Sequence, residues 1–434
     1  MAWKSETAPA PDHDSQTAGN GPPLLQMPLG DGDEEEMGRT VVGPKMAFAA
    51  NKHPPLKDDP PSLIRDLPRE HIPTCSSPSP IDGPGRKKRH GKRLIVVGDV
   101  HGNVGPLKAL LRKLNFDHKD GDHLILAGDM ITKGPDSRGV VELAMKVGAS
   151  AVRGNHEDRV LAAARKMHRL SVDGEDADED DVSEDSGSNE DGEAETSRKK
   201  DHARQVAKLL SRTQLAWLRD LPIILRISQL PDATSPPFDA GTIVVIHGGL
   251  VPGLPLEKQD PWAVMNMRTL VYPGKDKDRR AESDDGEDDD DGDNDNDDEE
   301  EEADIDNVAV PIDGRDGEPW SHAWNRYQNH LLPNTQATTL AIYGHDAKSG
   351  LQANLEVDIS AYDPHSSKGS NNNKKKKGKK KKGKKKKHKE KGLRYAFGLD
   401  SGCGHGRQLS ALVIEAVGPE KGGVEWRIEQ VECS

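Results

Sequence analysis

The sequence predicts an α/β fold of two mixed β-sheets that pack face to face, with helices on their outer sides. In the first half of the chain, strand-like apolar runs alternate with amphipathic helical segments, which indicates β-α units with parallel strands. Near the C-terminus, strand-like runs at 395–399, 409–415 and 424–431 are separated by glycine-rich turns. Such a series is typical of an antiparallel arrangement, so we expect these runs to form a second sheet.

The first predicted β-α unit starts with the apolar run at 94–97, which leads into a polar cluster at 99–101. The helix that follows is indicated by leucines at i, i+3, i+4 and i+7, namely Leu107, Leu110, Leu111 and Leu114. This spacing gives one apolar stripe along the helix, which can pack on a sheet. Strand, polar loop and helix are therefore expected to form one unit.

The next predicted elements repeat this pattern. The run at 124–127 leads to Asp129, and Ser137 is the expected N-cap of the helix that follows. A third apolar run at 151–153 reaches Asn155. This repetition predicts a mostly parallel sheet whose polar loops gather at one edge, because the carboxyl ends of parallel strands point the same way.

The middle of the chain continues with helical and strand-like segments. Residues 202–227 are predicted to form a helix followed by a strand. Two further apolar runs, at 242–246 and 340–343, end at His247 and near His345. Five apolar runs thus lead into polar clusters with oxygen and nitrogen ligands.

Only 32% of the 434 residues are hydrophobic and 3% are aromatic, so much of the chain is not expected to fold. Residues 1–90 are predicted to be a disordered tail and residues 91–434 a folded domain. Three low-complexity insertions are predicted inside that domain, two acidic ones at 171–200 and 276–306 and a lysine-rich one at 366–391. Loops tolerate such insertions because the cost of closing a loop rises slowly with its length.

The net charge of -14 is concentrated in these tracts. Residues 171–197 carry 13 acidic side chains and residues 284–306 carry 17, whereas residues 374–391 carry 14 lysines. Without these tracts and the tail, the rest of the chain has a net charge of about +5. That balance favours an anionic substrate, and the lysine-rich tract is a candidate for contact with a polyanion.

The three cysteines, Cys75, Cys403 and Cys433, are an odd number, which makes a disulfide framework unexpected and favours a reducing compartment. No run approaches the ~20 apolar residues of a membrane-spanning helix. The N-terminus lacks the apolar core of a signal peptide. These observations predict a cytoplasmic protein with no membrane partner, while the lysine-rich tract leaves the nucleus open and the vacuole remains an alternative.

The polar clusters predict a site for two metal ions. Asp99 and His101 are two residues apart in an extended segment, so their side chains leave the same face and can bind one ion. Asp129 can bridge that ion to a second one. The second ion is expected to be completed by Asn155, His247 and His345. Carboxylate, amide and imidazole ligands together suit Mn, Fe or Zn better than Ca.

Two ions about 3.5 to 4 Å apart can share a water, lower its pKa and hold it in line with a phosphorus atom. The shared hydroxide is expected to attack directly. His156 directly follows the proposed ligand Asn155 and is placed to protonate the leaving oxygen as a general acid. Lys133 and Arg268 are the candidates for neutralising the phosphoryl oxygens of a bound substrate.

These residues lie in motifs that resemble those of the calcineurin-like metallophosphoesterases, within the phosphoprotein phosphatase superfamily. The motifs are Gly-Asp-Val-His-Gly at 98–102, Gly-Asp-Met-Ile-Thr-Lys-Gly at 128–134, Gly-Asn-His-Glu at 154–157, His-Gly-Gly at 247–249 and Gly-Leu-Asp-Ser-Gly-Cys at 398–403. The resemblance implies the metallophosphoesterase fold. It also implies that Asp99, His101 and Asp129 bind one metal and that Asp129, Asn155, His247 and His345 bind the other.

The second motif departs from the pattern of serine/threonine protein phosphatases, which typically read Gly-Asp-x-Val-Asp-Arg-Gly. Here Thr132 and Lys133 stand in place of the acid and the arginine. The acid that would orient His156 is therefore missing, and the bidentate arginine becomes a point charge. With Arg268 and the Tyr-Gly-His-Asp segment at 343–346, the chain is more similar to bacterial diadenosine tetraphosphatases and to their relatives, which include fungal endopolyphosphatases.

The sequence therefore predicts a dimetal hydrolase of phosphoanhydrides, with polyphosphate or dinucleoside polyphosphates as substrates. A serine/threonine protein phosphatase is the nearest alternative. A second alternative is a non-catalytic scaffold on a phosphatase fold, in which the charged loops form the interaction surfaces. No proposed ligand has been replaced by an apolar residue, which favours the enzyme over the scaffold.

Overall fold

The computed structural model describes residues 62–74, 91–169, 192–272, 309–331, 337–362, 389–417, 421 and 423–433. The predicted acidic insertion at 276–306 lies outside these residues, as do residues 171–191 and 366–388 of the other two predicted insertions. Among the helices described, none is long and apolar enough to cross a membrane.

Strands and helices alternate between residues 93 and 166, whereas the described chain after residue 338 consists mainly of strands. The strands are β1 (Ile64–Asp66), β2 (Arg93–Val97), β3 (His123–Leu126), β4 (Ser150–Ala151), β5 (Ile224–Ser228), β6 (Thr242–Val245), β7 (Thr269–Val271), β8 (Val310–Ile312), β9 (Glu318–Pro319), β10 (Thr339–Tyr343), β11 (Glu356–Asp358), β12 (Lys391–Leu393), β13 (Ala396–Gly398), β14 (Gln408–Ala416) and β15 (Val424–Glu432). The helices are α1 (Val104–Lys113), α2 (Ser137–Lys146), α3 (Asn155–Lys166), α4 (Gly192–Leu209), α5 (Arg212–Arg219), α6 (Pro261–Asn266) and α7 (Trp320–His330).

The first sheet has the strand order β15-β14-β2-β3-β4. Strands β2, β3 and β4 run parallel, as the predicted β-α units require. Strand β14 pairs antiparallel with β2, and β15 pairs antiparallel with β14. The sheet is therefore mixed, with its parallel half on the side of the predicted metal ligands.

The second sheet has the order β1-β5-β6-β10-β13. Strands β6, β10 and β13 are parallel, and β5 joins β6 antiparallel. Two smaller sheets, β8-β7-β9 and β11-β12, lie outside these five-stranded sheets. The predicted α/β fold with two mixed sheets and flanking helices is confirmed.

The alternation of side chains along β2 shows how the sheets pack. Leu94 and Val96 join residues of both large sheets in one core cluster, among them Ile243 and Ile342. The other side of β2 contributes Ile95 and Val97 to a second cluster, which contains the buried leucines of α1. Because successive side chains of a strand point to opposite faces, β2 is buried on both sides. The first sheet therefore separates a core between the sheets from a core under its helices.

The three C-terminal runs do not form a sheet of their own, and this corrects the sequence prediction. Strand β13 lies beside β10 in the second sheet. Strands β14 and β15 instead extend the first sheet from β2. A buried apolar run shows that a strand is covered on its faces, but it does not show which strand edge it pairs with.

Two further boundaries differ from the prediction. Helix α2 is capped by Asp136, whose side chain accepts a hydrogen bond from Gly139 N, and Ser137 is its first residue. Within the predicted tail, residues 62–74 form β1 and a short 3-10 helix, Arg69–His71, and β1 pairs with β5. The predicted tail therefore does not extend through this segment, because its backbone hydrogen bonds complete the edge of the second sheet.

Cys403 and Cys433 form a disulfide bond, with Cα atoms 5.2 Å apart. Both side chains are buried. An odd cysteine count did not exclude a single bridge, because the third cysteine can stay outside the pair. The prediction of a reducing compartment rested on unpaired cysteines, and this bridge removes its basis.

Candidate metal centre

The carboxyl ends of four strands meet at the predicted site. Strand β2 ends just before Asp99 and His101, β3 before Asp129, β6 before His247 and β10 before His345. His101, Asp129 and His345 have positive φ angles of 48°, 47° and 71°. Residues other than glycine rarely adopt a positive φ. Where they do, the surrounding structure enforces this backbone conformation, and such residues are common at functional sites.

Asp129 lies between two groups of nitrogen atoms. Its Oδ2 is 3.6 Å from His101 Nε2 and 3.7 Å from His156 Nε2. Its Oδ1 is 3.2 Å from His247 Nε2, which in turn lies 3.2 Å from His345 Nδ1. Within each group, the possible ligand atoms are all within 4.8 Å of one another. The two oxygens of one carboxylate thus face two clusters that could each hold an ion.

Asp99 and Asn155 complete the predicted set. Asp99 Oδ2 lies 3.7 Å from His101 Nε2, and the carboxylate accepts hydrogen bonds of 3.0 and 3.2 Å from His345 N. Asn155 Oδ1 is buried and has no hydrogen-bond partner in the part of the chain that the structure describes. Because a buried carbonyl oxygen normally has a partner, this atom fits the role of a metal ligand. The structure therefore brings all six predicted ligands together.

Backbone carbonyls orient the imidazole rings. His247 Nδ1 lies 2.9 Å from Ala127 O, and His101 Nδ1 lies 3.2 Å from Ile131 O. When each Nδ1 donates to its carbonyl, the Nε2 lone pair is left for a metal. In His345 the roles are exchanged, because Nε2 contacts Asn266 O at 2.8 Å and Nδ1 faces His247. Such contacts fix the tautomer of metal-binding histidines.

Glu157 holds two of the ligand loops together, a role that the sequence prediction missed. Its carboxylate accepts hydrogen bonds from the backbone N–H groups of Asp129, Met130 and Gly154 at 2.8 to 2.9 Å. A Cβ atom at Gly154 would lie 2.4 Å from Asp129 Oδ1, so only glycine fits there. The signal was present in the Gly-Asn-His-Glu motif, in which an acid follows the ligand.

The electrostatics of the site favour added positive charge. Burial raises the pKa of Asp99 well above its usual range, and the charges of Asp400 and Asp129 add to this. Burial alone would lower the pKa of His247, but the charge and hydrogen bond of Asp129 raise it to about 10. Burial also lowers the pKa of His101 to about 4, which leaves that ring neutral. Asp99, Asp129 and Asp400 are buried carboxylates close enough to repel one another, which is an environment that a divalent cation compensates.

His156 lies next to the metal ligands but has a different environment. Its Nδ1 contacts the hydroxyl of Thr132 at 2.5 Å. Burial, opposed by the charge of Asp129, lowers the pKa of His156 to about 3. Thr132 occupies the position of the missing acid, so a neutral hydroxyl contacts the ring where a carboxylate was expected in protein phosphatases.

Lys133 and Arg268, the predicted substrate-binding cations, both line the cavity at the site. Lys133 Nζ lies 2.7 Å from His101 Nε2, on the ligand side of that ring. Arg268 donates a hydrogen bond to Asp313 O at 3.0 Å, and burial lowers its pKa. Both cations are therefore close enough to the ligand clusters to meet an anion held there.

The cavity has a volume of about 520 Å³, and further charged residues line it that the sequence prediction did not identify. They include Arg159, Arg198, Arg315 and Lys348, and the buried Asp400. None of the four basic residues lies in a motif with metal-ligand spacing. Their common location at one cavity is therefore visible only in the folded chain. Asp400 was the exception, since it lies in the Gly-Leu-Asp-Ser-Gly-Cys motif.

Comparison with known families agrees with this geometry. The family model described as calcineurin-like phosphoesterase matches residues 92–349, which is more than half of the chain. The chain belongs to the calcineurin-like phosphoesterase family. The matched segment contains all six proposed ligands as well as His156, Lys133 and Arg268.

Individual phosphoesterases are similar over shorter segments. A symmetrical bis(5'-nucleosyl)-tetraphosphatase of Hamiltonella defensa is 45% identical over 76 residues, which are 17% of this chain and 27% of that protein. A serine/threonine-protein phosphatase 1 of Salmonella typhimurium is 41% identical over 75 residues, or 17% of this chain and 34% of that protein. The chain thus matches about a quarter to a third of the length of these relatives.

A solved metallophosphoesterase from Sphaerobacter thermophilus is similar over a larger part of the chain. It shares 14% identity, covers 78% of this chain and 88% of its own length, and has a TM-score of 0.35.

Proposed function

We propose that the chain is a hydrolase that cleaves phosphoanhydride bonds with the help of two divalent metal ions. One observation carries the proposal: the two carboxylate oxygens of Asp129 face two separate clusters of ligand atoms. The ions would be Mn, Zn or Fe, held by Asp99, His101 and Asp129 on one side and by Asp129, Asn155, His247 and His345 on the other. When bound, they would supply Lewis acidity at the phosphoryl group and lower the pKa of a water.

His156 acts as the general acid in this proposal. Its ring is neutral in the structure because burial lowers its pKa. A bound phosphoryl group brings negative charge beside the ring and raises that pKa, so that a proton can be held for the leaving oxygen. The hydroxyl of Thr132 orients the ring through Nδ1, which leaves Nε2 on the side of the site.

The substrate class follows from the charges around the cavity. Arg159, Arg198, Arg268, Arg315 and Lys348 line it together with Lys133. A single phosphoryl group can contact only some of these cations, whereas a chain of phosphoryl groups can contact several. Polyphosphate and dinucleoside polyphosphates are therefore the proposed substrates.

The first test is a substrate panel with the full chain, loaded with Mn or Zn. Hydrolysis of polyphosphate, diadenosine tetraphosphate and a phosphopeptide is measured under the same conditions. We expect the phosphoanhydrides to be cleaved with the higher kcat/KM. His247→Ala is expected to lower the bound metal content and to reduce turnover at least ~1000-fold, because it removes a ligand from one cluster.

Two outcomes would contradict the proposal. Faster turnover of the phosphopeptide would favour a protein phosphatase, the activity in the name of the Salmonella relative. Binding of no metal, with no hydrolysis of any substrate, would favour a scaffold. Arg427→Gln is a suitable control, because this exposed residue on β15 lines neither the cavity nor the ligand clusters.

A further inference from the structure

A second cavity of about 340 Å³ lies beside the catalytic cavity. The two share Arg268 and the proposed ligand His345 in their walls. The second cavity continues from these residues between the start of α7 and the segment around β11, and Arg394 also lines it. A substrate held at the metal ligands can therefore extend past Arg268 into this space.

The acidic residues of the second cavity already have cationic partners. Asp346 forms an ion pair with Arg315. Asp358 pairs with Lys389 at 3.2 Å, and Glu356 pairs with Lys391. The carboxylates in the wall are thus compensated by cations that do not line this cavity.

Arg394 is the opposite case, because no carboxylate among the described residues forms an ion pair with its guanidinium group. The residue is only 7% exposed. Its Nε donates to Asn354 O at 2.7 Å and its Nη1 to Ala396 O at 3.0 Å, but it forms no ion pair among the described residues. Burial lowers its pKa, as expected for a guanidinium without a carboxylate beside it. Buried charges are normally paired, so this side chain is suited to an anion that the protein itself does not supply.

Arg268 also lines the second cavity, and the charges of Asp346, Asp313 and Asp129 act on its guanidinium group. It donates to the backbone oxygen of Asp313, and no ion pair to a described carboxylate exists. Two guanidinium groups that form no ion pair with a described carboxylate therefore line the second cavity, and one of them, Arg268, also lines the catalytic cavity. Guanidinium groups bind phosphoryl oxygens through paired N–H donors, which makes a phosphate chain the fitting ligand.

We propose that the second cavity is a binding subsite for a phosphoryl group of the substrate chain remote from the bond that is cleaved, with Arg394 as its main ligand. This inference rests on the proposed function, since it extends the same substrate beyond the metal centre. Arg268 then contacts the chain between the metal centre and Arg394. The subsite makes the enzyme selective for substrates with several consecutive phosphoryl groups.

Arg394→Gln tests the subsite by comparing substrates of different length. Tripolyphosphate offers three consecutive phosphoryl groups, whereas p-nitrophenyl phosphate offers one. We expect the ratio of the KM for tripolyphosphate to the KM for p-nitrophenyl phosphate to rise about 10- to 100-fold, because the variant loses a charge-assisted hydrogen bond to the longer substrate. Arg394→Lys keeps the charge but not the planar fork and is expected to give an intermediate ratio. Arg427→Gln, the exposed control, is expected to change neither KM.

The inhibition constant of tripolyphosphate against p-nitrophenyl phosphate separates this inference from the proposed function. If the enzyme cleaves only monoesters, the proposed function fails, yet Arg394→Gln must still weaken inhibition about 10-fold or more. An unchanged KM ratio together with an unchanged inhibition constant overturns the subsite. Should Arg394→Gln fail to fold, as its melting temperature would show, the ratio measured for Arg394→Lys decides.

A test with diadenosine tetraphosphate distinguishes the two possible sources of the phosphate chain, inorganic polyphosphate and a dinucleoside polyphosphate. If the remote group is a terminal phosphoryl group, Arg394→Gln raises the KM for inorganic polyphosphate chains. The KM for the dinucleotide then stays unchanged. If it is an internal phosphoryl group, both KM values rise. Either result supports the subsite, because both require an anion at Arg394.

Discussion

At the scale of single residues, the contact between Thr132 and His156 distinguishes this site from the one expected in protein phosphatases. A hydroxyl stands in place of a carboxylate at Nδ1 of His156, the proposed general acid. A carboxylate would hold the ring protonated, whereas a hydroxyl orients it without adding charge. In the proposed mechanism, His156 would therefore depend on the bound substrate for its protonation.

Thr132→Val tests this contact. Valine keeps the β-branched shape at a residue with φ of 71° and replaces the hydroxyl with a methyl group. We expect kcat for phenyl phosphate to fall about 10- to 100-fold, because a poor leaving group needs the general acid. For p-nitrophenyl phosphate the loss is expected to be small, and Thr132→Ser should retain activity on both. Equal losses on the two esters would contradict a role in proton transfer.

The residue types of the ligand set could be predicted because each follows an apolar run in a short motif. Glu157 and Asp400 were missed as functional residues, although both lie in such motifs. Their roles depend on contacts with loops distant in sequence, as in the three backbone N–H groups at 129–131 that donate to Glu157. Arg394 gives no sequence signal at all, because an unpaired charge is a property of its surroundings.

At the scale of elements, the segment 62–74 joins the two large sheets. Strand β1 extends the second sheet, while His71 of the 3-10 helix stacks on His123 of β3, with ring centroids 3.7 Å apart. His123 Nε2 also contacts Ser150 Oγ at 2.9 Å. The composition of the segment gave no hint of this, since a three-residue edge strand has too few residues to show a period.

This contact predicts a pH dependence of stability. Burial, aided by the neighbouring His71, lowers the pKa of His123 from 6.5 to about 4. The unfolded chain therefore binds a proton at a higher pH than the folded chain, and stability is fully present above about pH 6.5 and lost as the pH falls towards 4. Because the residue is only 4% exposed, solvent screens little of this effect, which is on the order of 3 kcal/mol.

His123→Gln removes this titration and keeps a neutral polar side chain. Urea unfolding of both proteins at pH 7 and at pH 4.5 gives the free energies of unfolding. The stability advantage of the wild type over the variant is expected to shrink at the lower pH. Parallel stability curves for the two proteins would show that His123 is not the group responsible.

At the scale of the whole molecule, the disulfide ties the C-terminal strand to the active-site loop. Cys403 is the last residue of the motif that contains Asp400, and a Cβ at the neighbouring Gly404 would lie 2.4 Å from the ring of His101. Cys433 directly follows β15. The bridge thus connects an edge of the first sheet to the wall of the metal site.

Cys433→Ser is expected to lower the free energy of unfolding by about 3 kcal/mol, because the bridge closes a loop with a sequence separation of 30 residues. Urea unfolding with and without a reducing agent measures the effect. The reduced wild type should match the variant, and Cys75→Ser, outside the bridge, should behave like the wild type. A wild type whose stability does not respond to the reductant would contradict the bridge.

The sequence by itself determined the layered α/β fold and the six candidate ligands. Both depend on local patterns, since strand periods and ligand motifs are complete within about ten residues of chain. The tertiary structure alone decided which sheet the C-terminal strands extend, that Cys403 and Cys433 are paired, and that Arg394 lies in a second cavity. These features join distant parts of the chain, as does the hydrogen bond from His345 N to Asp99 across 246 residues. Local patterns do not encode such pairings. Many alternative partners could bury the same apolar strand or neutralise the same charge, and only the packing of the whole chain selects one of them.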